Sequence, residues 1–153
     1  MLEVKRGVSC TRPTALDGIL AEMLATGCGF SVHKAGVDQP LAGGGPEPVR
    51  WSGKWFDRSR NFDLAGGRFI CRSRGRYLFQ ARARFTGEPG MLLLYRNGVE
   101  ACDALEGVAD NGAVLLVAGL LLHPGDAVAL YAAGNGALSG HPRDTWFAGR
   151  RLL

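Results

Sequence analysis

From Arg76 to Phe85 the chain alternates. Tyr77, Phe79, Ala81, Ala83 and Phe85 fall on one side, and Arg76, Gln80, Arg82 and Arg84 on the other. Side chains on a strand switch faces at every residue, so this pattern predicts a strand with one buried face and a row of arginines on the opposite face. Upstream the period changes. In "TALDGILAEMLA", residues 14–25, Leu16, Ile19, Leu20, Met23 and Leu24 recur at helical spacing. Thr14 or Thr11 can cap this short helix, and Thr26-Gly27 can end it. A helix this short is marginal alone, so its apolar stripe needs a surface to cover. That surface is either its own domain or another subunit or assembly.

Beyond Cys28 the pattern is one of short strands and turns. "FSVHKA" predicts a strand and "DQPLAGGGPEP" a loop. "VRWSGKWFD" holds one or two short strands. "RFICRS" and "RYLFQARARF" pair about Arg74-Gly75, and "MLLLYRNGVEA" runs into an Asn-Gly turn. "GAVLLVAGLLL" is apolar throughout and fits either a buried strand or a helix; its valines, Gly119 and the following "HPGD" favour a strand. "AVALYAAG" and "TWFAGRRLL" complete the series. Strands at intervals of roughly ten residues predict an all-β sandwich or barrel. The chain thus divides into an N-terminal segment, residues 1–28, and a β domain, residues 29–153.

Composition narrows this little. The 153 residues suffice for one sizeable core. The 23 glycines do not recur every third residue, which excludes a collagen-like rod. A net charge of +4 assists contact with polyanions without identifying one. Cys10, Cys28, Cys71 and Cys102 form no CxxC pair, so no zinc site is expected and the thiols are expected to be mostly buried and reduced. The start "MLEVKRGVSCTRPTALDG" lacks the apolar stretch that export requires. The longest apolar run, "AVLLVAGLLL", is about half of what spans a bilayer. Synthesis in the cytoplasm without a signal peptide, release as part of a particle, and no membrane insertion are the corresponding expectations.

Candidate chemistry is sparse. His33, His123 and His141 share no metal-ligand spacing with another His, Cys or carboxylate. Ser139, His141 and Asp144 invite comparison with a hydrolase cluster, but Ser139 lacks the G-x-S-x-G setting of a nucleophile elbow. "LAGGGPEP" lacks the Lys-Ser/Thr and the helix of a phosphate loop. No catalytic residue, metal or cofactor is expected. Trp51 and Trp55 stand among Arg50, Lys54 and Arg58. Aromatic rings stack on sugar faces and arginine pairs with acidic groups, so these five are the candidate ligand-binding residues. The competing arrangement keeps both tryptophans in the core. No RNA-binding motif accompanies them, and no nucleic-acid partner is expected.

Several landmarks together resemble the C1q/TNF-like domain family. They run in the family's order over residues 29–153: Phe30-Ser31-Val32; Asn61, Phe62 and Asp63 followed by Gly67, Phe69 and Cys71; Gly75, Tyr77 and Phe79; Leu94, Asn97 and Gly98; Leu122, Gly125, Asp126, Val128 and Leu130; and Phe147 with Gly149. The resemblance implies a jelly-roll β-sandwich that assembles, usually as a homotrimer, and binds ligands without catalysis. Two features depart from it. The apolar N-terminal segment stands where a collagen-like stalk is usual, and the end reads "FAGRRLL" where the family has "FSGFLL". The last strand is therefore shifted or carries an arginine inward.

The expected protein is a non-catalytic, oligomeric recognition module that binds a cell-surface glycan or protein and is docked by its helix into a larger assembly such as the spike or fibre of a phage-like particle. Arg82 and Arg84 then either line a subunit interface, paired with acids such as Glu100 or Asp103, or stay solvated, with ligand binding by this row as the third alternative. A structural decoration protein without its own ligand and a small carbohydrate-active enzyme are the competing classes.

Overall fold

The computed structural model describes residues 29–88, 90–101, 104–106 and 113–152. These residues contain no helix. The expected helix of residues 14–25, with its docking stripe, lies outside them.

The strands are β1 (Gly29–His33), β2 (Gln39–Pro40), β3 (Glu47–Pro48), β4 (Gly53–Asp57), β5 (Phe62–Asp63), β6 (Arg68–Ile70) and β7 (Gly75–Thr86), then β8 (Met91–Arg96), β9 (Val99–Glu100), β10 (Ala104–Glu106), β11 (Ala113–Leu122), β12 (Ala127–Ala133), β13 (Ala137–Leu138) and β14 (Trp146–Arg151). They form two antiparallel sheets. One runs β10-β11-β7-β14-β1-β4, with β13 also on β7 and β2 on β13. The other runs β5-β6-β12-β8-β9, with β3 also on β12. The chain is a jelly-roll sandwich.

The alternation on β7 translates directly into burial. Tyr77, Phe79, Ala81, Ala83 and Phe85 are buried, and the residues between them are partly or fully exposed. On β11 the apolar run divides the same way. Leu116, Ala118, Leu120 and Leu122 turn inward, while Leu115, Val117, Gly119 and Leu121 face out. The run is therefore a strand that is apolar on both faces.

Between the sheets lies a cluster of phenyl rings. Phe30, Phe79 and Phe147 come from the larger sheet, Phe62 and Phe69 from the smaller. Phe30 sits 4.8 Å from Phe62, 5.2 Å from Phe69 and 5.2 Å from Phe147, centre to centre. Gly149 makes this possible. A Cβ there would lie 2.6 Å from Phe30 Cε1 and 2.7 Å from Phe79 Cδ1. The register places Phe147 opposite Ala81, Gly149 opposite Phe79 and Arg151 opposite Tyr77. The last strand is thus not shifted; it carries Arg151 on the inward face at the end of the sandwich.

The turns follow their residues. Asn97 and Gly98 both have positive φ, as a two-residue hairpin turn requires. The Asp126 carboxylate accepts the backbone N–H of His123 at 2.8 Å, and this bond, with a second from the Asn97 amide, holds its carboxyl below the usual range. Gly125 has positive φ, but Gly75 does not. Gly75 is needed for space instead: a Cβ would lie 2.6 Å from Arg151 Nε. Cys71 is a buried free thiol; the other three cysteines lie outside the described residues.

Phe79→Ala should destabilise the fold by about 3–5 kcal/mol, and Gly149→Ala by about 1–3 kcal/mol through overpacking. Because the new methyl group points at the ring, denaturant melts of the double variant should show a loss clearly smaller than the sum.

Candidate functional site

The expected aromatic-basic patch is not one surface. Trp51 is 6% exposed and stacks on Phe147, ring centres 6.1 Å apart. Trp55 is 45% exposed and packs against the His33 ring at 4.7 Å. The two tryptophans are four residues apart, which would share a face on a regular strand. Here β4 begins only at Gly53, and its pairing with β1 slips between Ser31 and Val32. The slip breaks the parity and turns Trp55 out. Lys54 joins Trp55 on the outside, where its Nζ binds Asp57 Oδ2 at 2.8 Å and the Phe62 carbonyl at 3.0 Å. Arg50 and Arg58 are exposed. Trp51 therefore belongs to the core, and Trp55, Lys54 and Arg58 remain as surface groups.

Trp51 has a basic neighbour that its sequence surroundings do not reveal. Lys34 is buried, with Nζ 5.8 Å from the Trp51 ring centre. The ammonium donates to Gln39 Oε1 at 2.7 Å and to the Arg50 carbonyl at 2.6 Å. Burial, then the Arg50 charge, lowers its pKa from 10.5 to about 8, against a partial opposing pull from Asp38. It ties the β1 end to the segment before β4.

The arginine row of β7 meets an acid of its own chain. Arg82 Nη1 and Arg84 Nε each lie 3.4 Å from Asp144 Oδ1. Arg82 Nη1 also donates to the Arg143 carbonyl at 3.0 Å. The acids expected across an interface are not beside this row within the chain's described residues. Glu100 is on β9 in the other sheet, and Asp103 lies outside the described residues. Burial works to raise the Asp144 carboxyl, but the Ser139 hydroxyl and the Arg84 and Arg82 charges outweigh it and hold it below the usual carboxylate range. Ser139 Oγ donates to Asp144 Oδ2 at 3.1 Å and accepts the His141 backbone N–H, while His141 Nδ1 accepts from Arg143 N–H. The histidine thus takes no proton from the serine, and the trio pins a turn. Among the described residues no group of three His, Cys, Asp or Glu side chains could hold a metal ion.

The outer face of the larger sheet is unusual for a wetted surface. Across the strands, Leu115 is level with Arg82 and Trp146, and Val117 with Gln80, Ala148 and Ser31. Leu115 is 45% exposed, and Val117 and Leu121 are each 39% exposed. In the middle of this face Ser31 Oγ and Gln80 Oε1 are buried with no hydrogen-bond partner in the chain. Buried polar atoms normally find one.

Residues 32–151 match the model of the C1q domain. No curated protein matches the chain. Several solved structures resemble it in fold. Murine APRIL at pH 8.0 is 16% identical, with a TM-score of 0.64 over 82% of this chain and 98% of that one. The globular domain of the zebrafish complement 1qA protein is 20% identical, with a TM-score of 0.55 and the same coverage of 82% and 98%. The Eiger TNF of S. frugiperda is 16% identical, with a TM-score of 0.60 over 82% and 92%.

Trp51→Ala should cost about 3–5 kcal/mol, whereas Trp55→Ala should leave the melting temperature nearly unchanged; thermal melts of the pair check the inside-outside assignment. Lys34 is harder to protonate in the folded chain than in the unfolded one. The unfolded chain therefore binds more protons between pH 8 and 10.5, and this residue's contribution should rise with pH through that window. Unfolding free energies of the wild type relative to Lys34→Met should show that rise.

Proposed function

The chain belongs to the C1q domain family, and from that premise we propose that it is a non-catalytic recognition module that assembles as a homotrimer through the outer face of its larger sheet. The observation that carries this is the Leu115, Val117 and Leu121 stripe beside the unpartnered Ser31 Oγ and Gln80 Oε1. Apolar side chains on this scale gain by leaving water, and stranded polar atoms gain by meeting a donor or acceptor on a neighbour. A closed ring lets one patch repeat without leaving an open end. Arg82 and Arg84 border the stripe and share the Asp144 carboxylate, which offsets one of their two charges. They fit the rim of such a contact, where the remaining charge keeps its water.

The module's ligand is a cell-surface glycan or protein, met by surfaces the assembly leaves free. The apolar positions Leu16, Ile19, Leu20, Met23 and Leu24 serve to dock the module into a larger particle. Catalysis has no part in this function, and the ligation of Ser139 to Asp144 rather than to a histidine agrees with that.

The assembly is tested with Val117→Asp. The wild type should have a trimer mass in light scattering at micromolar concentration. The variant should be a folded monomer, because the substituted side chain points away from the core. A monomeric wild type, or a variant that keeps its mass, would show that the face is not the contact.

A further inference from the structure

The mild net charge of the chain hides a marked concentration at one end of the sandwich. The starts of β1, β7 and β12 and the ends of β4, β8, β11 and β14 meet there. Arg60, Arg72, Arg74, Arg96, Arg150 and Arg151 cluster at this end. Two carboxylates among them, Asp57 and Asp126, are already engaged. Asp57 accepts the backbone N–H groups of Asn61 and Phe62 and the Lys54 ammonium. Asp126 accepts from His123 N–H and the Asn97 amide.

A cleft opens at this end between the sheets, about 460 Å³ counting the part open to solvent. Phe69 and Tyr77 supply its apolar wall, and Asp57, Ser59, Asn61, Ser73, Arg150 and Arg151 its polar lining, with the Asp57 carboxylate already holding the Asn61 and Phe62 N–H groups and Lys54. Arg151 stands at the inward position opposite Tyr77. Its Nη2 donates to the Arg74 carbonyl at 2.9 Å, but its Nε is buried with no acceptor. Asn61 Oδ1 is buried with no donor. The lining thus lacks one acceptor and one donor at once, beside an aromatic wall.

We propose that this cleft binds one acidic sugar unit: a carboxylate on the Arg150–Arg151 side, a hydroxyl donating to Asn61 Oδ1, and the ring's C–H face against Phe69 and Tyr77. A bare anion would satisfy Arg151 and leave Asn61 stranded. A neutral sugar would do the reverse. The surrounding arginines attract the charged unit over the Debye length, so binding weakens with salt. This names a ligand class for the recognition function proposed above and rests on it. The cleft lies within one chain, however, so it does not depend on the trimer contact.

The test is an NMR titration of the full chain with sodium glucuronate, with acetate and glucose as the partial probes. Glucuronate should give saturable shifts at Asn61, Ser73 and Arg151, and acetate and glucose should each bind about tenfold more weakly or worse. Arg151→Met should weaken glucuronate about tenfold or more. Gly75→Ala should do so too, because its methyl group displaces the guanidinium while Arg151 itself is kept. Arg143→Ala, at the opposite end, should bind as the wild type does. The absence of saturable shifts, shifts centred on Trp55 instead, acetate binding as tightly as glucuronate, or indifference to both Arg151→Met and Gly75→Ala would each overturn the site. Glucuronate binding by a monomeric Val117→Asp chain would support the cleft on its own. A trimer that ignores glucuronate would sink the cleft and leave the assembly standing.

Discussion

Everything in this domain depends on five phenyl rings meeting across two sheets. Phe30, Phe79 and Phe147 reach down from the larger sheet to Phe62 and Phe69 on short, irregular strands of the smaller one. Those short strands, β5 and β6, have few ladder bonds of their own, so ring packing holds them in place. The cluster closes only because Gly149 has no side chain where Phe30 and Phe79 converge. That one absence fixes the register of β14 on β7. The register in turn decides which residues look inward, which look outward, and that Arg151 arrives at the mouth of the sandwich.

With the interior settled, the two remaining surfaces acquire opposite characters. The outer face of the larger sheet is apolar where β11 lies and small where β14 and β1 meet, at Ala148 and Ser31. It resembles an interior that lacks its other half. The end where the strands β1, β7 and β12 start is crowded with guanidinium groups whose nearby carboxylates are spent on turns. The same pleat produces both: alternation sends Leu115 and Val117 out, and it brings Arg151 in at the point where the sheets begin to part.

The sequence carried some of this plainly. The alternation of β7 was legible because each face is chemically uniform for ten residues. The strand character of "AVLLVAGLLL" could be argued only from its valines and glycine, since a run apolar on both faces has no period to read. The inward arginine was visible as one of two outcomes from Phe147 and Gly149 once their partners were recognised. Other features were hidden for definite reasons. Trp51 and Trp55 look equivalent until a slip in the β1–β4 ladder separates them, and no local pattern announces such a slip. Asp144 as the partner of Arg82 and Arg84 is some sixty residues distant, and only the fold brings it near. The cleft gathers residues from four separate stretches of chain, and no local pattern announces that they meet.

The two-faced apolarity of β11 also bears on how the chain reaches its folded form. Its pairing with β7 joins residues far apart in sequence, and such contacts form late, after a long loop has been closed. Until then the nascent chain carries ten consecutive apolar residues with high strand propensity and no charge, which is the signature of a segment that self-associates. Folding of the single chain covers only one side of it. Productive folding is therefore a race between capture of this run by β7 and off-pathway clumping, and Arg76, Arg82 and Arg84 on β7 supply the charge that the run itself lacks.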